Sequence, residues 1–60
     1  MWRQVGSAPN FAALERFIKD MFNADDVIFY GKKIVVNGVI LPEYKVETRS
    51  NRVVIAMRSA

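Results

Sequence analysis

Val27-Ile28-Phe29-Tyr30-Gly31-Lys32-Lys33-Ile34-Val35-Val36-Asn37-Gly38-Val39-Ile40-Leu41 decides the reading of this chain. Val, Ile, Phe and Tyr are strand formers, and two pairs of turn residues interrupt the run. Gly31-Lys32 suits a two-residue hairpin, because glycine takes the positive φ that a type II′ turn requires. Asn37-Gly38 reads in two ways. As a tight turn it gives about five short strands. As a bulge inside one strand from Lys33 to Leu41 it gives about four. The turn is the preferred reading, since Asn-Gly is a strong short-range hairpin signal.

Pro42 ends the third strand or places it at an edge. Tyr44, Val46 and Thr48 then alternate with Lys45, Glu47 and Arg49, the pattern of a strand with one wet face. Ser50-Asn51 turns the chain, and Arg52 to Arg58 returns it. Upstream the period changes to that of a helix. Phe11, Leu14, Phe17, Ile18, Met21 and Phe22 form one apolar stripe, with Glu15, Arg16, Lys19 and Asp20 on the other face. Glu15 and Lys19 make an i,i+4 pair in the favourable order. Ser7 or Asn10 caps the start, Ser7 being preferred, and Asn23 is a left-handed C-cap. The spacing predicts an N-terminal arm over 1–6, a helix over 8–23 and antiparallel strands over 27–58. The fold class is α+β: one amphipathic helix on a small antiparallel meander, open or curled toward a barrel.

The chain has 60 residues, so one domain over 1–60 is expected. A chain this short buries roughly 60% of its unfolded surface and is marginal without a staple. It has no Cys for a disulfide, and the absence of His removes the other common soft metal ligand. Oligomerisation or docking is the remaining route. At 52% hydrophobic residues it lacks the composition of a disordered segment. It shows no signal-peptide pattern and no apolar run of membrane-spanning length, and a cysteine-free chain suits a reducing compartment. A soluble intracellular protein that does not engage a membrane is expected.

The strands carry more apolar surface than one helix covers. Successive strand residues point to opposite faces. If Ile34, Val36, Val53, Ile55 and Met57 face the helix, Val35, Val54 and Ile40 face away. That outward face is closed by curling, by the arm around Trp2, or by a partner. The interface expected from this reasoning comprises Trp2, Val35, Ile40 and Val54. Edge pairing through Val39–Leu41 or Arg52–Arg58 is a further mode.

Catalysis needs a tuned acid, base or nucleophile. Asp25-Asp26 sits at a helix-to-strand junction, where adjacent carboxylates are usually turn formers. Ser7, Ser50 and Ser59 have no base at suggestive spacing, and Gly6, Gly31 and Gly38 are isolated turn glycines rather than a phosphate loop. The chain therefore reads as a non-enzyme, with no metal, cofactor or small-molecule substrate indicated. Net charge is +3 and the sequence pI near 9.7, mild values that suit nucleic acid or an acidic protein. Lys32, Lys33, Arg49 and Arg52 are the hairpin-tip cations that would meet phosphates. In a single meander they share one end only if Asn37-Gly38 is a bulge.

The Gly31-Lys32-Lys33, Asn37-Gly38 and Tyr44-Lys45-Val46 spacing is loosely similar to that of small β-rich bacteriophage proteins, including head–tail joining proteins. The resemblance covers the C-terminal half, fixes no functional residue, and implies an assembly role. The expected function is a protein-interaction or assembly module that binds itself or a larger partner. The alternative is a small basic nucleic-acid-binding module.

Overall fold

The computed structural model describes residues 1–59. Its elements are β1 (Trp2–Ala8), α1 (Phe11–Phe22), β2 (Val27–Tyr30), β3 (Lys33–Val36), β4 (Val39–Ile40), β5 (Tyr44–Arg49) and β6 (Arg52–Arg58). The class is α+β, as the sequence predicts, but the strands divide into two antiparallel sheets. One has the order β1-β6-β5 and the other β2-β3-β4. They do not close into a barrel.

The helix forms where the apolar stripe predicts, but its start differs. Asn10 is the cap, its Oδ1 accepting from the Ala13 amide at 2.8 Å. Ser7 lies in β1 and cannot serve, because its backbone is committed to pairing with Val54. The far end closes as a Schellman motif. Asn23 is left-handed at φ 52°, and the amides of Asn23 and Ala24 donate to Asp20 and Lys19 carbonyls. Glu15 and Lys19 pair at 3.1 Å.

Residues 1–6 are not a free arm. β1 pairs with β6 from Trp2↔Arg58 to Ala8↔Val53, with a register shift between Gln4 and Gly6. That bulge leaves Val5 unpaired and turned toward the core. Gly6 is therefore a strand residue rather than a turn residue. A Cβ there would lie 2.5 Å from Phe17 Cε2, so glycine lets the helix approach β1. The pairing joins residues about fifty apart in sequence, and nothing local in 1–8 announces it.

Asn37-Gly38 is a turn, not a bulge: Val36 pairs with Val39, and both turn residues have positive φ. The Asn37 side chain does further work. Its Oδ1 accepts from the amides of Asp25 and Asp26, and its own amide donates to the Asp26 carbonyl. The β3–β4 turn thus clamps the connection leaving the helix, which accounts for Asp25-Asp26 as turn formers.

One core joins the elements. Leu14 and Ile18 of the helix, Ile34 of β3 and Ile55 of β6 are fully buried, with Val27, Val36, Val46, Val53 and Ala8 around them. The helix packs against β1 and β6 of one sheet and β2 of the other. Edge-to-face contacts of Phe11 with Phe29 and of Phe22 with Tyr44 fasten it at each end, both at 5.2 Å. The sheets also touch directly, where the Val46 amide of β5 donates to the Lys32 carbonyl at 2.7 Å.

Candidate functional site

Each sheet has one face on the core and one turned away from the helix, and the two outward faces differ in chemistry. In the β2-β3-β4 sheet, Ile28, Val35 and Ile40 stand in one cross-strand row. Ile28 and Ile40 are 51% and 52% exposed, and Val35 between them is half-buried. Strand alternation puts Tyr30, 74% exposed, and Lys33 on the same face. Val39 is exposed on the short edge strand β4.

The β1-β6-β5 sheet turns a different set outward. Register places Trp2, Gln4 and Ser7 of β1 there. Arg52, Val54, Ala56 and Arg58 of β6 share that face with Lys45, Glu47 and Arg49 of β5. Ala56 is buried although it faces away from the core. Lys45 stands directly across from it, and the Lys45 ammonium lies 4.7 Å from the Trp2 ring centroid. This is a cation–π contact between the two edge strands of the sheet. Arg52 donates to Ser7 Oγ across the strands at 3.2 Å.

Glu47 organises the β5 end of this face. Its carboxylate meets Lys45 at 3.5 Å, Arg49 at 3.4 Å and Lys32 at 3.9 Å. The hydrogen bond from Arg49, followed by the charge of Lys45, holds its carboxyl below the ordinary 4.5. Beside it lies a cleft of about 260 Å³ lined by Phe11, Gly31, Lys32, Val46, Glu47 and Thr48. A carboxylate shifted in that direction is fully ionised near neutral pH and poorly matched to moving protons there.

The four residues expected to form one interface are thus divided between sheets. Val35 and Ile40 adjoin, whereas Trp2 and Val54 share the other sheet's outward face. Ile28 and Tyr30 complete the apolar face and lie outside the interface that the sequence predicts. Their signal was the alternation Val27-Ile28-Phe29-Tyr30, legible once Val27 and Phe29 are assigned to the core. Edge pairing through Arg52–Arg58 does not occur, because β6 is the central strand with both edges taken.

Among the hairpin-tip cations, Lys32, Arg49 and Arg52 come to one face and Lys33 goes to the other. The expected link between a basic cluster and a bulge at Asn37-Gly38 fails. That link assumed one sheet. With two, the β2–β3 turn folds against β5 and brings Lys32 to Glu47.

Among the described residues no cluster of His, Cys, Asp or Glu is placed to hold a metal ion, and no helix is long and apolar enough to cross a membrane. The chain matches no family model, no curated protein and no solved structure, so the similarity to bacteriophage proteins finds no counterpart there.

Proposed function

We propose that this protein is a non-catalytic assembly module that self-associates through the outward face of the β2-β3-β4 sheet. The observation that carries this reading is the row Ile28-Val35-Ile40, with both isoleucines about half exposed and Tyr30 beside them on the same face. Full burial of a large aliphatic side chain is worth roughly 1.5–3 kcal/mol, so each half-exposed isoleucine forgoes on the order of 1 kcal/mol in water. A copy of the same chain is the fitting occupant. The row runs across three strands, and a self-complementary patch of this kind can meet its own copy about a two-fold axis. Lys33 is the one charge the strands turn to this face, so the surface offers little to select a charged partner.

A small domain without a disulfide also gains from association, because binding to the folded form alone raises stability by mass action. Sedimentation velocity over a concentration series tests the reading, with Ile28→Lys/Ile40→Lys as the disrupting variant. Both side chains are half in water, so the variant should keep its circular dichroism spectrum. The wild type should shift to a dimer or larger species as concentration rises, and the variant should remain a monomer. A wild type that stays monomeric at high micromolar concentration overturns self-association.

A further inference from the structure

We propose that the outward face of the β1-β6-β5 sheet is a separate binding surface for single-stranded nucleic acid, with Lys32, Lys45, Arg49, Arg52 and Arg58 on phosphates and Trp2 stacked on a base. The first argument is charge segregation. These five cations share that side with two carboxylates, Glu47 and Glu43, the latter at the next position of the ladder, where its carbonyl accepts from the Arg58 amide; the net charge is +3. The other four cations and four carboxylates leave the rest of the molecule neutral, against +3 for the whole chain. All of the excess positive charge therefore gathers on one side of the molecule, over the outward face of the β1-β6-β5 sheet. Two hairpins in different sheets have to meet at Glu47 to achieve it.

The second argument is geometric. Cations line both ends of β6 and the length of β5, over a strand run of roughly 20 Å at ~3.3 Å per residue. Glu47 holds Lys32, Lys45 and Arg49 close together while cancelling only one of their charges. An array of cations across one sheet face fits a chain of regularly spaced phosphates. Trp2 then decides between single and double strands. It is 39% exposed and lies within the basic face rather than at a groove-reading tip. Bases offer their π-faces to a stacking side chain only when unpaired. The apolar row on the other sheet takes no part, so this surface and self-association stand or fall independently.

Trp2 is the only tryptophan, so its fluorescence reports on this face alone. The test titrates the full chain with a labelled oligothymidylate of about 15 nucleotides, near the upper site size of a single small β module. Label anisotropy and Trp2 emission are both followed. Anisotropy should rise and Trp2 emission should be quenched. The logarithm of affinity should fall with the logarithm of salt at a slope no steeper than about −3.5, from about −0.7 per phosphate and five cations. Arg52→Glu/Arg58→Glu should weaken binding at least ~10-fold, because each arginine that held a phosphate is replaced by a carboxylate that repels it. Lys33→Glu, a cation on the other face, should change it far less. The wild-type quench and salt slope test the idea even if the double variant fails to fold. Absence of both signals at low salt overturns it, as does equal weakening by Lys33→Glu. Equal affinity for a duplex of the same length, or equal Trp2 quenching by polyglutamate, overturns the assignment to single strands.

Discussion

Ile55 and Ile34 are isoleucines on the central strands of their sheets, both fully buried on the same core. Their neighbours Val54 and Val35 point outward, and there the sheets part. Val54 lies between Ser7 and Glu47 in a face of cations and one tryptophan. Val35 lies between Ile28 and Ile40 with little polar cover. Both sheets use alternation to fill the core, but only one also uses it to make a wet surface. Inner positions therefore report stability in either sheet, whereas outer positions report different kinds of adhesion.

The largest effects are expected where the sheets are alike. Ile55→Ala and Ile34→Ala each remove a fully buried side chain from the shared core. Each should cost about 2–5 kcal/mol in urea or thermal unfolding. In a domain this small that is enough to unfold much of the population at room temperature. If Ile34→Ala costs well under 1 kcal/mol while Ile55→Ala unfolds the protein, the β2-β3-β4 sheet is a peripheral flap rather than half of one core.

Next in size is a test specific to the β1-β6-β5 sheet. Gly6→Ala would set a Cβ 2.5 and 2.7 Å from Phe17 ring atoms and 3.3 Å from Ile55 Cγ2. The ring must swing away from β1, and overpacking of this kind costs about 1–3 kcal/mol. Phe17→Leu should cost less in the Gly6→Ala background than in the wild type, since the packing it removes has become a clash. A double-mutant cycle measures that coupling. Additive costs would mean that β1 and the helix do not approach as closely as the ring geometry requires.

Asn37 gives the matching test in the β2-β3-β4 sheet. Asn37→Gly keeps a residue suited to positive φ but loses the bonds to the Asp25 and Asp26 amides. These amides are exposed, so about 0.5–1.5 kcal/mol is expected. Asn37→Ala should cost about 1 kcal/mol more, from the left-handed backbone that alanine resists. Equal losses in the two variants would place the whole cost in the side-chain bonds.

What could be read in advance follows the range of the forces. The helix stripe, the Asn23 cap, the Glu15–Lys19 pair and the turns at Gly31, Asn37 and Ser50 are local, and each was legible from a few neighbouring residues. The pairing of β1 with β6 closes the chain's two ends on each other and has no local signature. Residues 1–6 carry only Trp2, Arg3 and Val5 as anchors, so neither the strand nor the second sheet is legible from them. The inward and outward assignment of Ile34, Val35, Val53 and Val54 was still right, because alternation along a strand does not depend on which sheet the strand joins. Grouping the outward residues into one interface did depend on it. Trp2 and Val54 therefore separated from Val35 and Ile40, and Lys33 from Lys32.

The smallest effect sharpens the contrast on the charged face. Glu47 is held below its ordinary 4.5 by Arg49 and then Lys45, while its side chain stays partly in water. A carboxyl whose pKa is lowered on folding contributes stability above the unfolded value and loses it as pH falls through the folded value. The protein should therefore weaken slightly on acidification from about pH 5 downward, and Glu47→Gln should remove part of that dependence while changing stability little near neutrality. An NMR titration of the Glu47 carboxyl, with urea midpoints for both forms across the same range, measures it. At neutral pH the same substitution should tighten oligonucleotide binding, because it frees Lys32, Lys45 and Arg49 from their shared counter-ion. It should leave self-association through Ile28 and Ile40 unchanged. If it weakens oligonucleotide binding instead, Glu47 is needed to position the three cations, and their order outweighs the charge it cancels.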